Sequence, residues 1–377
     1  MRSPKWGQAS GQWGQELTDW GLRTMNQSGS LTNKLSCMQK LLNLPGEAVE
    51  LQSRINFRDN LKKTRMRKIT IIGAGNVGST CANVIAIKDF AREIVLLDIK
   101  EGLAEGKALD IWQTSSMLHF NTRITGSTND YLKTKGSGVI VITSGLPRKP
   151  GMSRDDLIRT NAVIVKEVTE KAIKYSPDAI IIVVSNPLDV MTYAAYLAAN
   201  KSHEKIFGMA GVLDAGRYKA FIAETLDVSP EDIHAMLLGG HGDTMVPLPR
   251  YTSINGIPVS ELLSRDVIDK IVERTRKGGG ELVNLIGTSA WYAPGAAVAK
   301  MIEAIVEDER RIFPVCAYLN GEFGLKDIYL GVPVILGKNG VEEIIEISLN
   351  EDERKLLYSS AESVKNSMKV LDDMKLF

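Results

Sequence analysis

The chain has 377 residues, of which 44% are hydrophobic and 24% charged, as is ordinary for a globular protein with a buried core. Its length favours two or three folding units. The formal net charge of +1, without a concentrated basic stripe, argues against a nucleic-acid partner, and no apolar run of about 18 residues predicts a membrane span.

Residues 1–65 differ in composition from the rest of the chain. They hold ten Lys and Arg against five Asp and Glu, with Trp6, Trp13 and Trp20 spaced seven residues apart. That spacing fits one helical face, but many Gly, Gln, Ser and Asn residues favour a disordered extension. Neither a secretory apolar core nor an acid-poor transit peptide is visible. We expect the natural protein to begin at Met66, and a partner for the tryptophans stays open.

From Lys68 onward, short apolar runs alternate with helical stretches. Such runs suit parallel strands that are buried on both faces, and between them residues 155–175 show helical periodicity. The alternation predicts an α/β fold, with a Rossmann-type doubly wound parallel sheet in residues 66–211. The predicted strands are Ile69–Ile72, Ile94–Leu97, Val139–Ile142 and Ile180–Val184.

After Val212 the regular alternation of strands and helices ends, and we predict an α+β catalytic domain over residues 212–377. A helix is predicted over residues 215–225, further helices between residues 267 and 306, and a terminal helix from Asn350. The predicted strands are Ile233–Leu238, Thr252–Val259, Ile312–Tyr318, Ile328–Leu336 and Glu342–Ile347.

A glycine motif follows the first predicted strand and opens a helix. It reads Gly73-Ala74-Gly75-Asn76-Val77-Gly78, and Asp98 ends the next strand twenty residues later. Glycines here permit a tight turn and close approach to a pyrophosphate, which the helix N-terminus attracts. A carboxylate at Asp98 suits the ribose hydroxyls of NAD and repels the 2′-phosphate of NADP. The cofactor is therefore predicted to be NAD, although Lys100 could soften that preference.

Two further segments carry candidate chemistry. The loop Leu146–Arg154 packs three cations among prolines and a glycine, which suits an anionic substrate but equally fits a solvated basic loop. His241 lies between glycines, where neither helix nor strand periodicity explains it, and its ordinary pKa suits proton transfer. Asp214, at the start of a predicted helix, is the candidate acid that orients it.

No metal site is predicted. The three cysteines (Cys37, Cys81 and Cys316) and four histidines show no ligand spacing, and their pattern indicates a reduced, cytoplasmic compartment.

In order and spacing, these motifs resemble the lactate/malate dehydrogenase superfamily from Met66 to Phe377, and within it the lactate-dehydrogenase-like malate dehydrogenases of bacteria. The motifs are the glycine turn, Asp98, the loop Arg148–Arg154, Val184-Ser185-Asn186-Pro187, Leu213-Asp214-Ala215-Gly216-Arg217 and Gly240-His241-Gly242-Asp243.

The resemblance implies a role for each matching residue. His241 would exchange a proton with the substrate oxygen during hydride transfer, and Asp214 would orient it. Arg217 would bind the carboxylate beside the reacting carbon, and Arg154, on a closing loop, would polarise the carbonyl. Asn186 would contact substrate and cofactor. Further implied cofactor contacts are Asn161, Val184 and Ser185, and Ser289 is a weaker candidate for the pocket wall.

Arg148 decides between substrates in this interpretation. Lactate-specific relatives have a neutral glutamine at the matching position, whereas arginine can pair with the second carboxylate of oxaloacetate. A buried guanidinium facing a methyl group would cost roughly 2–5 kcal/mol. The resemblance therefore implies NAD-dependent oxidation of malate to oxaloacetate, a reaction of the tricarboxylic acid cycle.

Three alternatives stay open at this point. A lactate or other 2-hydroxy-acid dehydrogenase is disfavoured by Arg148. A non-catalytic NAD-binding regulator is disfavoured because His241, Asp214, Arg217 and Arg154 are all present. An NAD-dependent glycosidase would need a metal site. The resemblance further implies a homotetramer or homodimer.

Overall fold

The computed structural model describes residues 68–147 and 153–377. The expectations for residues 1–65 and for Arg148 therefore lie outside the described residues. The strands are β1 Lys68–Ile72, β2 Glu93–Asp98, β3 Arg123–Thr128, β4 Val139–Ile142, β5 Ile180–Val183, β6 Ile206–Gly208, β7 Ile233–His234, β8 Leu237–Leu238, β9 Val246–Pro247, β10 Ser253–Ile254, β11 Ile257–Pro258, β12 Arg311–Asn320, β13 Lys326–Gly337 and β14 Gly340–Ile344.

The α-helices alternate with these strands in the first half of the chain and cluster in the second. They are α1 Asn76–Lys88, α2 Leu103–Gln113, α3 Ser115–Leu118, α4 Arg154–Tyr175, α5 Leu188–Ala199, α6 Ala210–Leu226, α7 Val259–Leu262, α8 Arg265–Ile286, α9 Tyr292–Val306 and α10 Glu351–Asp372.

Nine of the described strands form one sheet in the order β14-β13-β12-β6-β5-β4-β1-β2-β3. The run from β6 to β3 is parallel, with β1 between β4 and β2, so the predicted doubly wound α/β fold is confirmed. Strands β4 and β5 are buried along their whole length, as their unbroken Val and Ile runs predict.

The second half of the chain extends this sheet. Strand β12 joins β6 antiparallel through the pair Cys316 and Gly208, and β13 and β14 follow as antiparallel neighbours. The predicted boundary at residue 211 thus falls between two segments that share a sheet, and it stays a prediction.

Two predicted strands are wrong in detail. Residues 233–238 form two short strands, because β7 pairs with β10 whereas β8 pairs with β9. Residues 252–259 turn back as the hairpin β10–β11, with Asn255 and Gly256 both at positive φ. Asn-Gly is the typical signal of a two-residue hairpin turn, so residues 252–259 do not form one continuous strand.

Helix α2 lies against β3 at Gly126. A Cβ on Gly126 would lie 2.2 Å from the Glu105 nitrogen and 2.3 Å from the Ala104 carbonyl oxygen. The close approach therefore requires glycine. Gly106, exposed on the same helix, has no atom within 4 Å of an added Cβ.

We expect Gly126→Ala to lower the free energy of unfolding by roughly 1–3 kcal/mol or more, because backbone atoms of α2 must move. Gly106→Ala is the matched control and is expected to raise it by about 0.5–1 kcal/mol, since alanine favours the helix. Urea denaturation of both variants checks this. Equal stabilities for the two variants would contradict the packing argument.

Candidate active site

The glycine turn joins β1 to α1. Gly73 has a φ of +108°, and a Cβ there would lie 2.5 Å from Thr143 Oγ1. A Cβ on Gly78 would lie 2.0 Å from the Gly73 carbonyl oxygen, so this glycine lets α1 pack against the turn. A Cβ on Gly75, by contrast, would meet no atom within 4 Å. The turn therefore leaves open space at the N-terminus of α1, where backbone N–H groups favour a diphosphate.

Asp98 reaches this turn from the neighbouring strand. Its Oδ2 atom accepts a hydrogen bond from the Ala74 N–H at 2.7 Å, and Oδ1 accepts one from the Lys100 N–H at 2.9 Å. The half-buried carboxylate lies one strand away from the diphosphate position, where the adenosine ribose binds in this type of motif. The turn, the helix N-terminus and the carboxylate together fit NAD.

Lys107 on α2 lies beside this turn and was not among the residues predicted from the sequence. Its Nζ atom donates to the Asn76 Oδ1 and Ser79 Oγ atoms, both at 3.3 Å, on the first turn of α1. Burial lowers the pKa of Lys107, and the negative charge of Asp98 opposes that effect. Lys107 thus adds a cation beside the turn. Nothing in the sequence near Lys107 indicates these contacts, because its partners lie 28 and 31 residues earlier.

His241 and Asp214 are brought together by the fold. The Nδ1 atom of His241 lies 2.9 Å from Asp214 Oδ2. The side chain of Asp214 is only 2% exposed, whereas that of His241 is 15% exposed. One edge of the imidazole is therefore held by a buried carboxylate, and the ring retains access to solvent.

The environment of His241 raises its pKa. Burial by itself lowers the pKa, but the charge and hydrogen bond of Asp214, together with the charge of Asp189, outweigh it. The positive charge of Arg217 acts in the opposite direction. The net effect favours the imidazolium, which is the form that can donate a proton.

Arg217 completes this cluster from α6. Its Nη1 atom lies 3.3 Å from Asp214 Oδ1, on the carboxylate that also holds His241. Its buried Nε atom has no hydrogen-bond partner within the described part of the chain. A Cβ on Gly278 of α8 would lie 3.2 Å from Arg217 Cδ, so the missing side chain makes room for the arginine. The guanidinium thus keeps donors for an anionic ligand.

Asn161 is buried, with 1% of its surface exposed, on the inner face of α4. Its Oδ1 atom accepts from the Leu146 N–H at 2.8 Å, and its Nδ2 atom donates to the carbonyls of Leu146 at 3.1 Å and Asn186 at 2.7 Å. Asn161 therefore ties two loops together. The helical periodicity could have predicted its burial, because it lies four residues from both Leu157 and Val165.

The remaining candidates for the cofactor and substrate lie around these loops. Val184 and Ser185 are buried after β5, and the Ser185 hydroxyl donates to the Ser144 carbonyl. Asn186 is exposed at the same end of β5. These positions agree with a site beyond the carboxyl ends of the parallel strands.

Arg154 is exposed at the first residue of α4, a helix that begins with a capping box formed by Ser153 and Asp156. Within residues 68–147 and 153–377, it makes no hydrogen bond or ion pair with His241, Asp214 or Arg217. Its role on a closing loop stays a prediction, as does that of the exposed Ser289.

Among the described residues, no group of three or more His, Cys, Asp or Glu side chains is arranged to hold a metal ion. No helix within residues 68–147 and 153–377 has the length and apolar character that crossing a membrane requires.

A Rossmann sheet that combines this turn with a carboxylate-held histidine defines a nicotinamide-dependent dehydrogenase. The model of the lactate/malate dehydrogenase NAD-binding domain matches residues 67–208, and that of the lactate/malate dehydrogenase alpha/beta C-terminal domain matches residues 211–374. The chain therefore belongs to the lactate/malate dehydrogenase family, which confirms the resemblance of its motifs.

Individual relatives agree with this assignment. The chain is 61% identical to the malate dehydrogenase of Cytophaga hutchinsonii over 81% of this chain and 98% of that protein. The solved malate dehydrogenase of Salinibacter ruber is similar with a TM-score of 0.79 and 54% identity, covering 82% of this chain and 98% of that one. A lactate dehydrogenase of Cryptosporidium parvum, solved with lactic acid and NAD, reaches a TM-score of 0.78 and 40% identity over the same shares.

We expect Gly75→Ala to raise the Kd for NADH by roughly tenfold or more, equal to about 1.4 kcal/mol. The added methyl group would occupy the open space that the diphosphate needs, and it touches no protein atom within 4 Å. Fluorescence titration with NADH measures the Kd, and thermal unfolding without NADH should give the wild-type Tm. An unchanged Kd would show that the diphosphate does not approach Gly75.

Proposed function

We propose that the chain catalyses the reversible, NAD-dependent oxidation of (S)-malate to oxaloacetate. The observation that carries this proposal is the 2.9 Å hydrogen bond from His241 Nδ1 to the buried Asp214 carboxylate, in a family that includes malate dehydrogenases. The bound cofactor supplies the hydride for reduction and accepts it in oxidation. The protein positions the substrate and moves the proton.

His241 serves as the proton carrier in this mechanism. Because Nδ1 is held by Asp214, the opposite ring atom, Nε2, is the one directed at a substrate oxygen. In the reduction of oxaloacetate, protonated Nε2 donates its proton to the carbonyl oxygen at C2. In the oxidation of malate, neutral Nε2 takes the hydroxyl proton. The raised pKa of His241 extends the reduction to higher pH, because kcat/KM for oxaloacetate falls only as pH rises through that pKa.

Two arginines bind the carboxylates of the substrate, and a third polarises its carbonyl. Arg217 has an unpartnered buried Nε atom and receives the carboxylate next to the reacting carbon. Arg154 polarises the C2 carbonyl after the loop that precedes α4 closes over the substrate. Arg148, in the same loop, pairs with the second carboxylate and thereby selects oxaloacetate over pyruvate.

We also propose that the enzyme works as a homotetramer or homodimer in the cytoplasm. Four large side chains on α2 and α3 are more than a third exposed, namely Leu109, Trp112, Met117 and Leu118, which suits an interface between subunits. Cys81 and Cys316 are free thiols, in keeping with a reducing compartment.

The substrate is tested by following NADH oxidation with oxaloacetate and then with pyruvate. We expect the wild-type enzyme to turn over oxaloacetate in strong preference. Arg148→Gln should shift the kcat/KM ratio toward pyruvate by tenfold or more, because a roughly 2–5 kcal/mol penalty for the unpaired guanidinium disappears.

Lys149→Gln removes a charge from the same loop and is the matched control, for which we expect the wild-type ratio. Preference of the wild type for pyruvate would identify a lactate dehydrogenase on the same fold. Failure with both substrates, despite NADH binding, would favour a regulatory NAD-binding protein. An unchanged ratio in Arg148→Gln would remove Arg148 from the specificity mechanism.

The proton carrier is tested with His241→Asn. We expect kcat to fall by roughly 10²–10⁴-fold, because general acid–base catalysis is lost, while the Kd for NADH stays at the wild-type value. His119→Asn is a suitable control, since His119 is exposed with a φ of +57°, which asparagine tolerates. Wild-type turnover in His241→Asn would refute the proton-transfer role.

A further inference from the structure

A second buried carboxylate lies behind His241. Asp189, in the first turn of α5, is 5% exposed, and its Oδ2 atom accepts a hydrogen bond from the main-chain N–H of His241 at 3.0 Å. None of the roles assigned above uses this residue. No local pattern singles it out, because His241 lies 52 residues further along the chain.

The contacts of Asp189 stabilise its ionised form against the opposing effect of burial. Burial keeps the pKa of Asp189 above its ordinary value, and the charge of His241, hydrogen bonds from the main-chain N–H groups of His241 and of Asp189 itself, and the thiol of Cys316 oppose that rise. Its Oδ1 atom has no further hydrogen-bond partner among the described residues. An asparagine could accept the same main-chain hydrogen bond without burying a charge. The unfavourable burial of an acid at this place therefore points to a use for the charge itself.

Asp189 also connects the two sides of the candidate site. It lies three residues after Asn186, whose carbonyl is held by Asn161 at 2.7 Å. The short segment from Asn186 to Asp189 thus joins a residue at the substrate position to the backbone of the proton carrier. Any displacement of this segment would be transmitted to His241.

We propose that Asp189 is a positioning residue for His241: its carboxylate fixes the histidine backbone and places a second negative charge near the imidazole. The inference rests on the proposed role of His241 as proton carrier. Asp214 orients the ring through Nδ1, whereas Asp189 holds the chain that carries the ring. The two carboxylates approach from different helices, α5 and α6, so the ring and its backbone are fixed independently.

The residue before His241 is held in a similar way by an uncharged side chain. The Ser360 Oγ atom on α10 accepts a hydrogen bond from the Gly240 N–H at 2.8 Å. Gly239 and Gly331 exchange main-chain hydrogen bonds of 2.9 and 3.1 Å, which attach the loop to β13. Ser360 therefore holds the residue next to His241 without contributing charge. Ser360→Ala is the matched control for any effect that comes from loop placement alone.

The pH dependence follows from the charges that face His241. Asp214 and Arg217 face it from α6 and Asp189 from α5, while Cys316 on β12 lies against Asp189 and Tyr329 on β13 lies against Cys316. Removing the negative charge of Asp189 lowers the pKa of His241. The fall in kcat/KM for oxaloacetate with rising pH, which marks loss of the imidazolium, then begins at a lower pH.

The test compares kcat/KM for oxaloacetate against pH in Asp189→Asn, Asp189→Ala and Ser360→Ala. In Asp189→Asn, the pH at which kcat/KM falls should decrease by roughly 0.5–1 unit, because the negative charge is lost. The kcat at low pH should stay close to that of the wild type, because the amide keeps the hydrogen bond. Asp189→Ala should show the same shift and in addition lose kcat by roughly tenfold to a hundredfold through misplacement of the ring. Ser360→Ala should lower Tm without changing the pH at which kcat/KM falls.

The proposal would be overturned if kcat/KM of Asp189→Asn fell at the same pH as that of the wild type, or if Ser360→Ala showed an equal shift. Should Asp189→Ala fail to fold, Asp189→Asn and Ser360→Ala still decide between charge and loop placement. Failure of the proposed proton-carrier role gives a different result. His241→Asn would then retain turnover, and the fall of kcat/KM at high pH would not come from titration of His241.

Discussion

The hydrogen bond between His241 and Asp214 links two segments that the chain brings together from 27 residues apart. Because Asp214 is almost fully buried, its charge acts in a medium of low effective dielectric and interacts strongly with its partners. That buried charge needs compensation, which Arg217 supplies at 3.3 Å and His241 supplies when protonated. The tautomer of the histidine and the direction of its free ring atom follow from this carboxylate, which is also the strongest of the charges that raise the pKa of His241.

The shared sheet gives the histidine loop its rigid support. Because β12 and β13 continue the parallel sheet, β13 lies where Gly331 can pair with Gly239, two residues before His241. Helix α10 then covers the same loop through Ser360. His241, the proposed proton carrier, lies in a loop, but that loop is attached to β13 and, through Asp189 and Ser360, to α5 and α10. Such attachment meets the requirement that a catalytic group be held in place before substrate binds.

Local chemistry decided what could be predicted from the sequence. The glycine turn and Asp98 were predictable because a strand, a turn and a helix follow one another within a few residues. His241 was predictable because glycines on both sides exclude a core position. The contacts of Lys107 and Asp189 were not, because each joins residues between 28 and 52 positions apart, and only packing of the helices places them together. The Asn255-Gly256 pair, by contrast, is a local signal, and it predicts the hairpin without any long-range contact.

In the proposed mechanism, the charges of the site couple proton transfer to substrate binding. With His241 protonated and Asp189 ionised, as the proposed positioning role requires, the two cations His241 and Arg217 balance the two carboxylates Asp214 and Asp189. Transfer of the proton to the substrate leaves this group of four with a net negative charge. Since the substrate is itself an anion, the described cluster favours it before the proton moves and favours it less afterwards. The same carboxylates that hold the imidazolium ready to donate thereby promote release of malate, and in oxidation they oppose binding of malate to the neutral histidine that accepts its proton.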